Sequence, residues 1–305
     1  MGRISRKSMA VLTDLCEYRV LSLSQVDHLH FTNKRYARKK IQELLAAHLI
    51  DILPVNLYRG TGRPEGVYGI GKEGHNLLSS SKEIPDFVSY EQSGAEDLLP
   101  QVEHQILINW FRIHLHHITK VMPGIETEIL SCNSPFRLDP ENGVPFVRDH
   151  VLLPGTLEPT NFIPDLVFTI TDTERERTVL FFLEADRGTE PLDSSDPSRS
   201  DVRGKILCYQ EYFRSARYKR YEGIRGVSLK GFRLLFLTSA ADRMKALCFQ
   251  VRSMPPSDFV WVSSQDRMFT EGVSGNIWAR GGRLDAEPDS ILGSLARPMP
   301  LPPLE

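Results

Sequence analysis

Two acidic side chains stand at the ends of apolar, strand-like runs, and their types and spacing suit metal-assisted chemistry. Asp165 opens the run Leu166–Ile170, and Glu184 closes the run Val179–Leu183. A carboxylate beside a buried strand costs free energy unless it is paired or binds a cation. If the two strands are neighbours, the carboxylates meet and offer hard oxygen ligands to Mg²⁺, which activates water and neutralises charge on phosphate. Two polar strand ends that face solvent would give the same pattern, so both interpretations stay open here.

The elements that would position these carboxylates occupy residues 101–280. Helical periodicity predicts helices over 101–118, 205–213 and 243–250, and apolar β-rich runs predict strands over 125–130, 162–170, 178–186, 232–238 and 259–262. The order along the chain is therefore α, β, β, β, α, β, α, β. This order predicts an α/β domain around a central mixed sheet.

The first 78 residues have a different pattern. Helices are predicted over 9–18, 23–31 and 34–48, followed by β-rich runs over 51–59 and 67–70 and a short helix from Lys72. Three helices followed by a hairpin are the order of a winged helix-turn-helix. In that fold the third helix enters the major groove of DNA and the wing touches the backbone or the minor groove.

The third helix separates apolar from basic residues. Ala37, Ile41, Leu44 and Leu45 fall on one face with the spacing of a buried stripe. The cations that fall largely on the other side, together with two arginines that flank the wing turn, form the predicted DNA-binding set, which is Lys34, Arg35, Arg38, Lys39, Arg59 and Arg63. Such cations contact phosphates and carry no base information on their own. A solvated helix face is the alternative interpretation.

Composition limits the class of protein. The chain has 305 residues, with 37 lysines and arginines against 39 aspartates and glutamates. Residues 1–72 carry 12 of these basic residues and 6 of the acidic ones, so a basic head that meets a polyanion precedes an acidic body. No apolar run is long enough to span a membrane, and no secretory leader is evident, which predicts a cytoplasmic protein without a membrane partner. The four cysteines form no CxxC pair, and no Walker or GxGxxG motif predicts a small-molecule cofactor.

Segment boundaries follow from local composition. Residues 1–78 are the predicted DNA-binding domain, 79–100 a polar linker, 101–280 the α/β domain and 281–305 a proline-rich flexible tail. Within the α/β domain, residues 209–221 interleave five aromatic with four basic residues. This run predicts either a second nucleic-acid surface or an amphipathic helix with a solvated basic side.

The acidic motif and its surroundings resemble a known family. Pro164-Asp165, followed by Glu184-Ala185-Asp186 after an apolar strand, resembles the PD-(D/E)XK nuclease core. Over residues 5–262 the chain resembles the replication-relaxation family of plasmid and mobile-element proteins, which joins an N-terminal winged helix to such a core. The matching stretches are Val102-Glu103-His104, Phe162-Ile163-Pro164-Asp165 and the run from Phe182 to Glu190, in which Glu184 to Thr189 is the most specific part of this resemblance.

The resemblance implies roles for individual residues. It implies that Asp165 and Glu184 hold Mg²⁺ and that Glu103 supplies an additional acid. Asp186 stands where the nuclease motif has lysine, which adds a fourth carboxylate to the metal-binding set and departs from the family of active nucleases. Lys205, on the helix that follows, would then take the lysine role beside Asp165 and Glu184 in a catalytic set.

Three functions are consistent with these features. The leading hypothesis is a DNA-binding protein of the replication-relaxation type that binds double-stranded DNA through a winged helix and carries a degenerate nuclease-like domain. Paired half-sites on DNA would suit a homodimer. The alternatives are an active Mg²⁺-dependent endonuclease and a winged-helix transcription regulator.

Overall fold

The computed structural model of the chain describes residues 4–55, 57, 64–138, 143–144, 146–194 and 201–303. The chain divides into two compact units. The first comprises Met1–Ile113, Asn133–Pro145 and Pro302–Glu305, and the second comprises His114–Cys132 and Phe146–Leu301. No helix among the described residues is both long and apolar enough to cross a bilayer.

Short helices and a three-stranded sheet make up the first unit. The helices are α1 (Arg6–Tyr18), α2 (Leu23–His30), α3 (Lys34–Ala46), α4 (Lys72–Ser80), α5 (Tyr90–Ser93), the 3₁₀ helix Glu96–Gln101 and the first part of α6 (Val102–Val121). The strands are β1 (Val20–Ser22), β2 (Ile50–Ile52) and β3 (Val67–Ile70). They pair antiparallel in the order β1-β3-β2.

Side-chain caps set the starts of the first three helices in this unit. The Ser5 side chain accepts from the Ser8 amide at the start of α1, and Ser22 forms a reciprocal capping box with Gln25 at the start of α2. The Asn33 side chain accepts from the Arg35 and Tyr36 amides at 2.9 and 3.3 Å, which fixes the first turn of α3. All three are short polar residues, which is the type that helix N-caps prefer.

The segment predicted as a linker contains ordered structure. Residues 79–100 include α5 and part of the 3₁₀ helix, and Ile84, Val88 and Leu98 are buried. Arg19, itself buried, donates to the Gly94 carbonyl at 2.7 Å and pairs with Asp97. The segment is mostly polar but contains these three apolar residues. Their burial packs the segment against the rest of its own unit.

A six-stranded mixed sheet organises the second unit. Its strands are β4 (Ile125–Cys132), β7 (Leu166–Asp172), β8 (Arg177–Asp186), β9 (Phe232–Thr238), β10 (Val260–Ser264) and β11 (Ala279–Arg280), in the order β11-β10-β9-β8-β7-β4. The pairs β8·β9 and β9·β10 are parallel and the others are antiparallel. The predicted α/β class with a central mixed sheet is confirmed.

The remaining elements of this unit lie between the sheet strands along the chain, except for the last 3₁₀ helix, which follows β11. They are α7 (Val202–Arg214), the 3₁₀ helix Arg217–Lys219, α8 (Arg220–Arg225), α9 (Ala241–Arg252), α10 (Gln265–Glu271), the 3₁₀ helix Gly293–Leu295 and a separate hairpin of β5 (Asp149–Val151) and β6 (Thr160–Phe162). One face of the sheet packs on α7 through rings that include Phe182, Tyr209, Tyr212 and Phe232. These large rings make the core of the second unit and fix α7 beside the C-terminal end of β8.

Through Leu301, the segment predicted as a flexible tail packs within the second unit. Ile291, Leu292 and Met299 are buried. The Met299 amide donates to the Glu271 carbonyl at 2.8 Å, and the Ser274 hydroxyl donates to the Arg297 carbonyl at 2.7 Å. Proline-rich composition predicts an extended chain. The burial of the three apolar side chains explains why this extended chain packs on the rest of the unit.

Candidate functional site

A row of cations lies on the outer face of α3. Arg35, Arg38 and Lys39 are exposed and Lys34 is partly exposed, whereas Ala37, Ile41 and Leu44 on the other face are buried. Within the described part of the chain, none of these four cations has a carboxylate at ion-pair distance. The predicted separation of apolar and basic faces is therefore present in α3, except that Leu45 is partly exposed.

An aromatic residue that sequence reasoning passed over belongs to the same surface. Tyr36 of α3 is 48% exposed, and its ring lies edge-on to Phe31. The ammonium of Lys7 stands 4.8 Å from the Phe31 ring centre and 5.9 Å from that of Tyr36. The sequence signal that could have indicated Tyr36 is its position between the basic residues Arg35 and Arg38 of α3. Arg59 and Arg63, the predicted wing cations, lie outside the described residues.

The two carboxylates singled out in the sequence meet at one edge of the second unit's sheet. β7 and β8 are antiparallel neighbours with Leu166 opposite Leu183, so Asp165 and Glu184 stand at the next step of the register. The Ala185 amide donates to Oδ2 of Asp165 at 2.8 Å. Glu184 is 4% exposed, and its side chain lies on the α7 side of the sheet.

Two residues of α7 hold the buried Glu184 carboxylate. The Tyr209 hydroxyl donates to Oε1 at 2.6 Å, and Nζ of Lys205 lies 3.2 Å from Oε2. Lys205 and Tyr209 are four residues apart and therefore share one face of the helix. Lys205 also pairs with Oε2 of Glu190 at 2.8 Å, so one ammonium bridges two carboxylates. The structure thus brings Asp165, Glu184 and Lys205 together.

Burial and charge perturb both partners of this cluster. Burial raises the pKa of the Glu184 carboxyl from 4.5 to about 7; the nearby Asp165 adds to the rise, and Lys205 and Tyr209 oppose it. Burial alone would lower the pKa of Lys205, but the charges of Glu184, Asp165 and Glu190 outweigh it and raise that pKa. Lys205 therefore stays protonated and acts as a fixed cation in this cluster.

Asp186 points to the same side of β8 as Glu184 but has partners of its own. Nε and Nη2 of Arg243 donate to its two oxygens at 2.6 and 3.2 Å, and the Gly188 amide donates to Oδ1 at 2.8 Å. Arg243 also donates to the Glu190 carbonyl at 2.7 Å. Arg243 lies at the start of α9, and no local pattern in the sequence indicates it as this partner.

Glu103, the additional acid implied by the resemblance, lies in the first turn of α6 and is exposed. It belongs to the first unit, whereas Asp165, Glu184, Asp186 and Lys205 belong to the second. Its part in a metal site stays a prediction.

The donor set at the sheet edge fits Mg²⁺ in chemical type. Asp165 and Glu184 supply carboxylate oxygens, and Mg²⁺ is commonly bound by one or two carboxylates together with water and phosphate oxygens. Across the described ranges, no three histidine, cysteine, aspartate or glutamate side chains are grouped as a larger metal-binding set.

Comparison with known proteins gives one match. A family model described as replication-relaxation matches residues 12–227, which is more than half of the chain. Neither a curated protein nor a solved structure shows significant similarity to the chain.

Proposed function

The chain belongs to the replication-relaxation family, and we propose that it is a DNA-binding protein that acts in the replication of plasmids or mobile elements. The observation that carries this proposal is the row of exposed cations on α3, which have no carboxylate partners among the described residues. Cations held without partners on one helix face are the electrostatic footprint of a surface that meets phosphates.

The order of elements in the first unit supports a winged helix for this role. Three helices, with β1 after the first, precede the pair β2 and β3, and the sheet order is β1-β3-β2. In a winged helix the third helix, here α3, enters the major groove. Lys34, Arg35, Arg38 and Lys39 would then contact backbone phosphates, and Tyr36 would lie at the same surface.

A gel-shift titration on duplex DNA tests this surface. We expect Arg35→Glu/Arg38→Glu to weaken binding at least about 100-fold, because two attractive phosphate contacts become repulsive. The matched control is Lys72→Glu/Lys82→Glu, which changes the same charge at exposed positions of the same unit away from α3. Equal binding by the wild type and the α3 variant would rule out α3 as the recognition helix.

A second candidate function, a Mg²⁺-dependent endonuclease, is favoured by the position of Lys205. Although Asp186 stands at the lysine position of the nuclease motif, Lys205 reaches Glu184 from α7 beside Asp165. The core order α6, β4, β7, β8, α7, β9 also supports a PD-(D/E)XK-like domain. A cation provided from another element would restore the charge pattern that such a nuclease needs.

In this mechanism Asp165 and Glu184 would hold Mg²⁺, which lowers the pKa of bound water and neutralises charge on phosphate. Tyr209 fixes the orientation of Glu184 by donating to Oε1. Lys205, kept protonated by its acidic neighbours, cannot accept a proton as a general base. It would instead orient the attacking water or stabilise negative charge on the scissile phosphate. Asp186 would fix the loop after β8 through Arg243 and take no part in metal binding.

A supercoiled-plasmid assay with Mg²⁺ or Mn²⁺ tests the endonuclease. Nicking that is lost in Asp165→Ala and in Lys205→Met, and kept in Asp242→Ala, would support it. Asp242 is an exposed aspartate of α9 that pairs with Lys245. If the wild-type protein binds the plasmid in a gel shift but does not cut it with either metal, the domain has the nuclease-like arrangement of residues without the cleavage activity.

A further inference from the structure

The run 209–221, in which aromatic and basic residues are interleaved, is not one amphipathic helix. Within it α7 ends at Arg214, a 3₁₀ helix spans Arg217–Lys219 and α8 begins at Arg220. Four of its five aromatic side chains are buried in the core of the second unit, namely Tyr209, Tyr212, Tyr218 and Tyr221. The rings of this run therefore serve mainly the core, and its cations are what the surface offers to a partner.

Two arginines that follow α7 bind the edge of the β5·β6 hairpin. Nη1 of Arg217 donates to the His150 carbonyl at 3.2 Å. Nη1 of Arg220 donates to the Arg148 carbonyl at 3.3 Å and to Oδ1 of Asp149 at 3.0 Å. Carbonyls two residues apart point to the same edge of a strand, so the two arginines lie side by side along β5.

β5 directs basic side chains to the same surface. Burial alternates from Val147 to Val151, so that Asp149 lies inward with these two valines, whereas Arg148 and His150 are exposed. Side chains at alternate positions share one face and stand about 6.6 Å apart along an extended chain. We call the exposed basic residues of this surface the hairpin patch, which consists of Arg148, His150, Arg217 and Lys219.

The charge of the hairpin patch is not compensated by acidic side chains. Two neighbouring arginines are paired, Arg214 with Glu211 and Arg220 with Asp149. Among the residues that the structure describes, the arginines and the lysine of the patch have no carboxylate within 4.0 Å. Because the sequence after residue 72 is acidic as a whole, these unpaired cations form a local positive potential that attracts a polyanion.

The hairpin patch begins beside the sheet edge that carries the two carboxylates. Asp149, next to Arg148, stands opposite Phe162 in the β5·β6 pair. Three residues separate Phe162 from Asp165 along the chain, a span of at most about 11 Å. A polyanion bound along the patch therefore passes close to Asp165 and Glu184.

We propose that the hairpin patch binds the sugar-phosphate backbone of duplex DNA beside the carboxylate edge of the second unit. The choice of DNA as the polyanion rests on the proposed function of the chain, and the contact itself rests on charge complementarity. Contacts of this kind position a duplex and carry no base information. The patch is thus a second DNA surface, additional to α3.

Gel-shift titrations of the full chain on duplex DNA test the hairpin patch. They are made in the wild type and in Arg35→Glu/Arg38→Glu, so that the patch is measured with and without the cations of α3. We expect Arg148→Gln/Arg217→Gln to raise the dissociation constant at least about tenfold in both backgrounds, because two cations that contact phosphates are lost.

The matched control is Arg177→Gln/Arg252→Gln, which removes two exposed cations of the same unit, at the start of β8 and in the last turn of α9. Equal weakening by both pairs, or no weakening by the Arg148 and Arg217 pair, would overturn the proposal. Failure of α3 as the recognition helix is a separate result. The wild type and the α3 variant would then bind equally, and the effect of the patch would still be measured in both.

The salt dependence shows whether the two arginines act through phosphates. On a plot of log affinity against log salt concentration, Arg148→Gln/Arg217→Gln should reduce the slope by about 1.8. Its melting temperature should stay within about 2 °C of the wild type, because both changes are at the surface. If affinity falls while the slope is unchanged, the arginines act through the fold, and the proposal is wrong.

Photo-crosslinking tests direct contact. With benzoylphenylalanine in place of His150, irradiation should link the protein to DNA. With the same amino acid in place of Phe249, which is 78% exposed on α9, it should not. Crosslinks from both positions, or from neither, would contradict a DNA contact at the hairpin patch.

Discussion

Glu184 is stabilised in a buried position by partners from one helix. The Tyr209 hydroxyl donates to Oε1 of the carboxylate, and the Lys205 ammonium pairs with Oε2. A carboxylate buried without such donors would be strongly destabilising. The geometry at this residue therefore serves the stability of the second unit whether or not the site performs chemistry.

Removal of the Tyr209 hydroxyl should lower the free energy of unfolding. We expect Tyr209→Phe to cost about 1.5–3 kcal/mol, the range for hydrogen bonds to charged groups. Tyr218→Phe is the control, since Tyr218 is buried in the same cluster but makes no hydrogen bond through its side chain among the described residues. Urea unfolding measures both, and equal losses would contradict the importance of the Glu184 contact.

Asp149 is a second buried carboxylate of this unit, and its surroundings predict that the stability of the protein depends on pH. It accepts from the hydroxyls of Tyr212 and Tyr221 at 2.8 and 3.0 Å and from Arg220 at 3.0 Å. Burial nevertheless raises its pKa above the usual 3.8, against the lowering effect of these three donors. The folded state therefore holds this proton more tightly than the unfolded chain does.

The stabilising effect of that proton is fully present below the unfolded pKa and is lost as pH rises through the folded pKa. We expect the stability of the wild type relative to Asp149→Asn to fall as pH rises from about 4. Urea unfolding at a series of pH values measures the difference. A difference that is constant with pH would mean that the Asp149 carboxyl has an unperturbed pKa.

Among the elements, α3 combines a buried stripe with an exposed cationic face. Its first turn is fixed by Asn33, and its cations begin at Lys34, directly after the cap. The cap thus orders the part of the helix that carries the charges. In the second unit, α9 plays a comparable part, because Arg243 in its first turn holds Asp186 and the loop after β8.

Loss of the α3 cap should weaken the helix locally. We expect Asn33→Ala to destabilise the first unit by about 1 kcal/mol, because the Arg35 amide loses its side-chain acceptor and the Tyr36 amide keeps only the carbonyl of residue 33. Hydrogen exchange should then be faster at Arg35 and Tyr36, the two amides that Asn33 caps. Asn276→Ala, at an exposed asparagine outside the helices, is the control. Unchanged exchange at these two amides would show that water replaces the cap without loss.

At the scale of the whole molecule, charge is divided along the chain. The basic residues 1–72 precede an acidic remainder, although the totals of 37 and 39 nearly cancel. An acidic body repels DNA, so the proposed binding by the first unit must depend on its local cations.

This division predicts a steep salt dependence of duplex binding. On a plot of log affinity against log salt concentration, we expect Arg35→Gln/Arg38→Gln to reduce the slope by about 1.8, since each phosphate contact contributes about 0.9. Gel-shift titrations over a salt series measure the slope. If the slope stays that of the wild type while the affinity falls, the two arginines act through the fold and not through phosphates.

The sequence by itself determined which segments form most helices and strands and the apolar and basic faces of α3, and it predicted that Asp165 and Glu184 meet if their strands are neighbours. These features follow from hydrophobic period and from residues at the ends of strands, which are local properties. The short strand β1, the hairpin of β5 and β6, and β11 were missed, because two or three residues are too few to have a recognisable period.

The tertiary structure decided which side chains share a site. Arg243 holds Asp186 from 57 residues away, and Lys205 of α7 bridges Glu184 and Glu190. Three apolar side chains likewise decide that the proline-rich segment packs within the second unit. Contacts between residues far apart in the chain depend on how the elements pack. A local sequence pattern does not specify that packing.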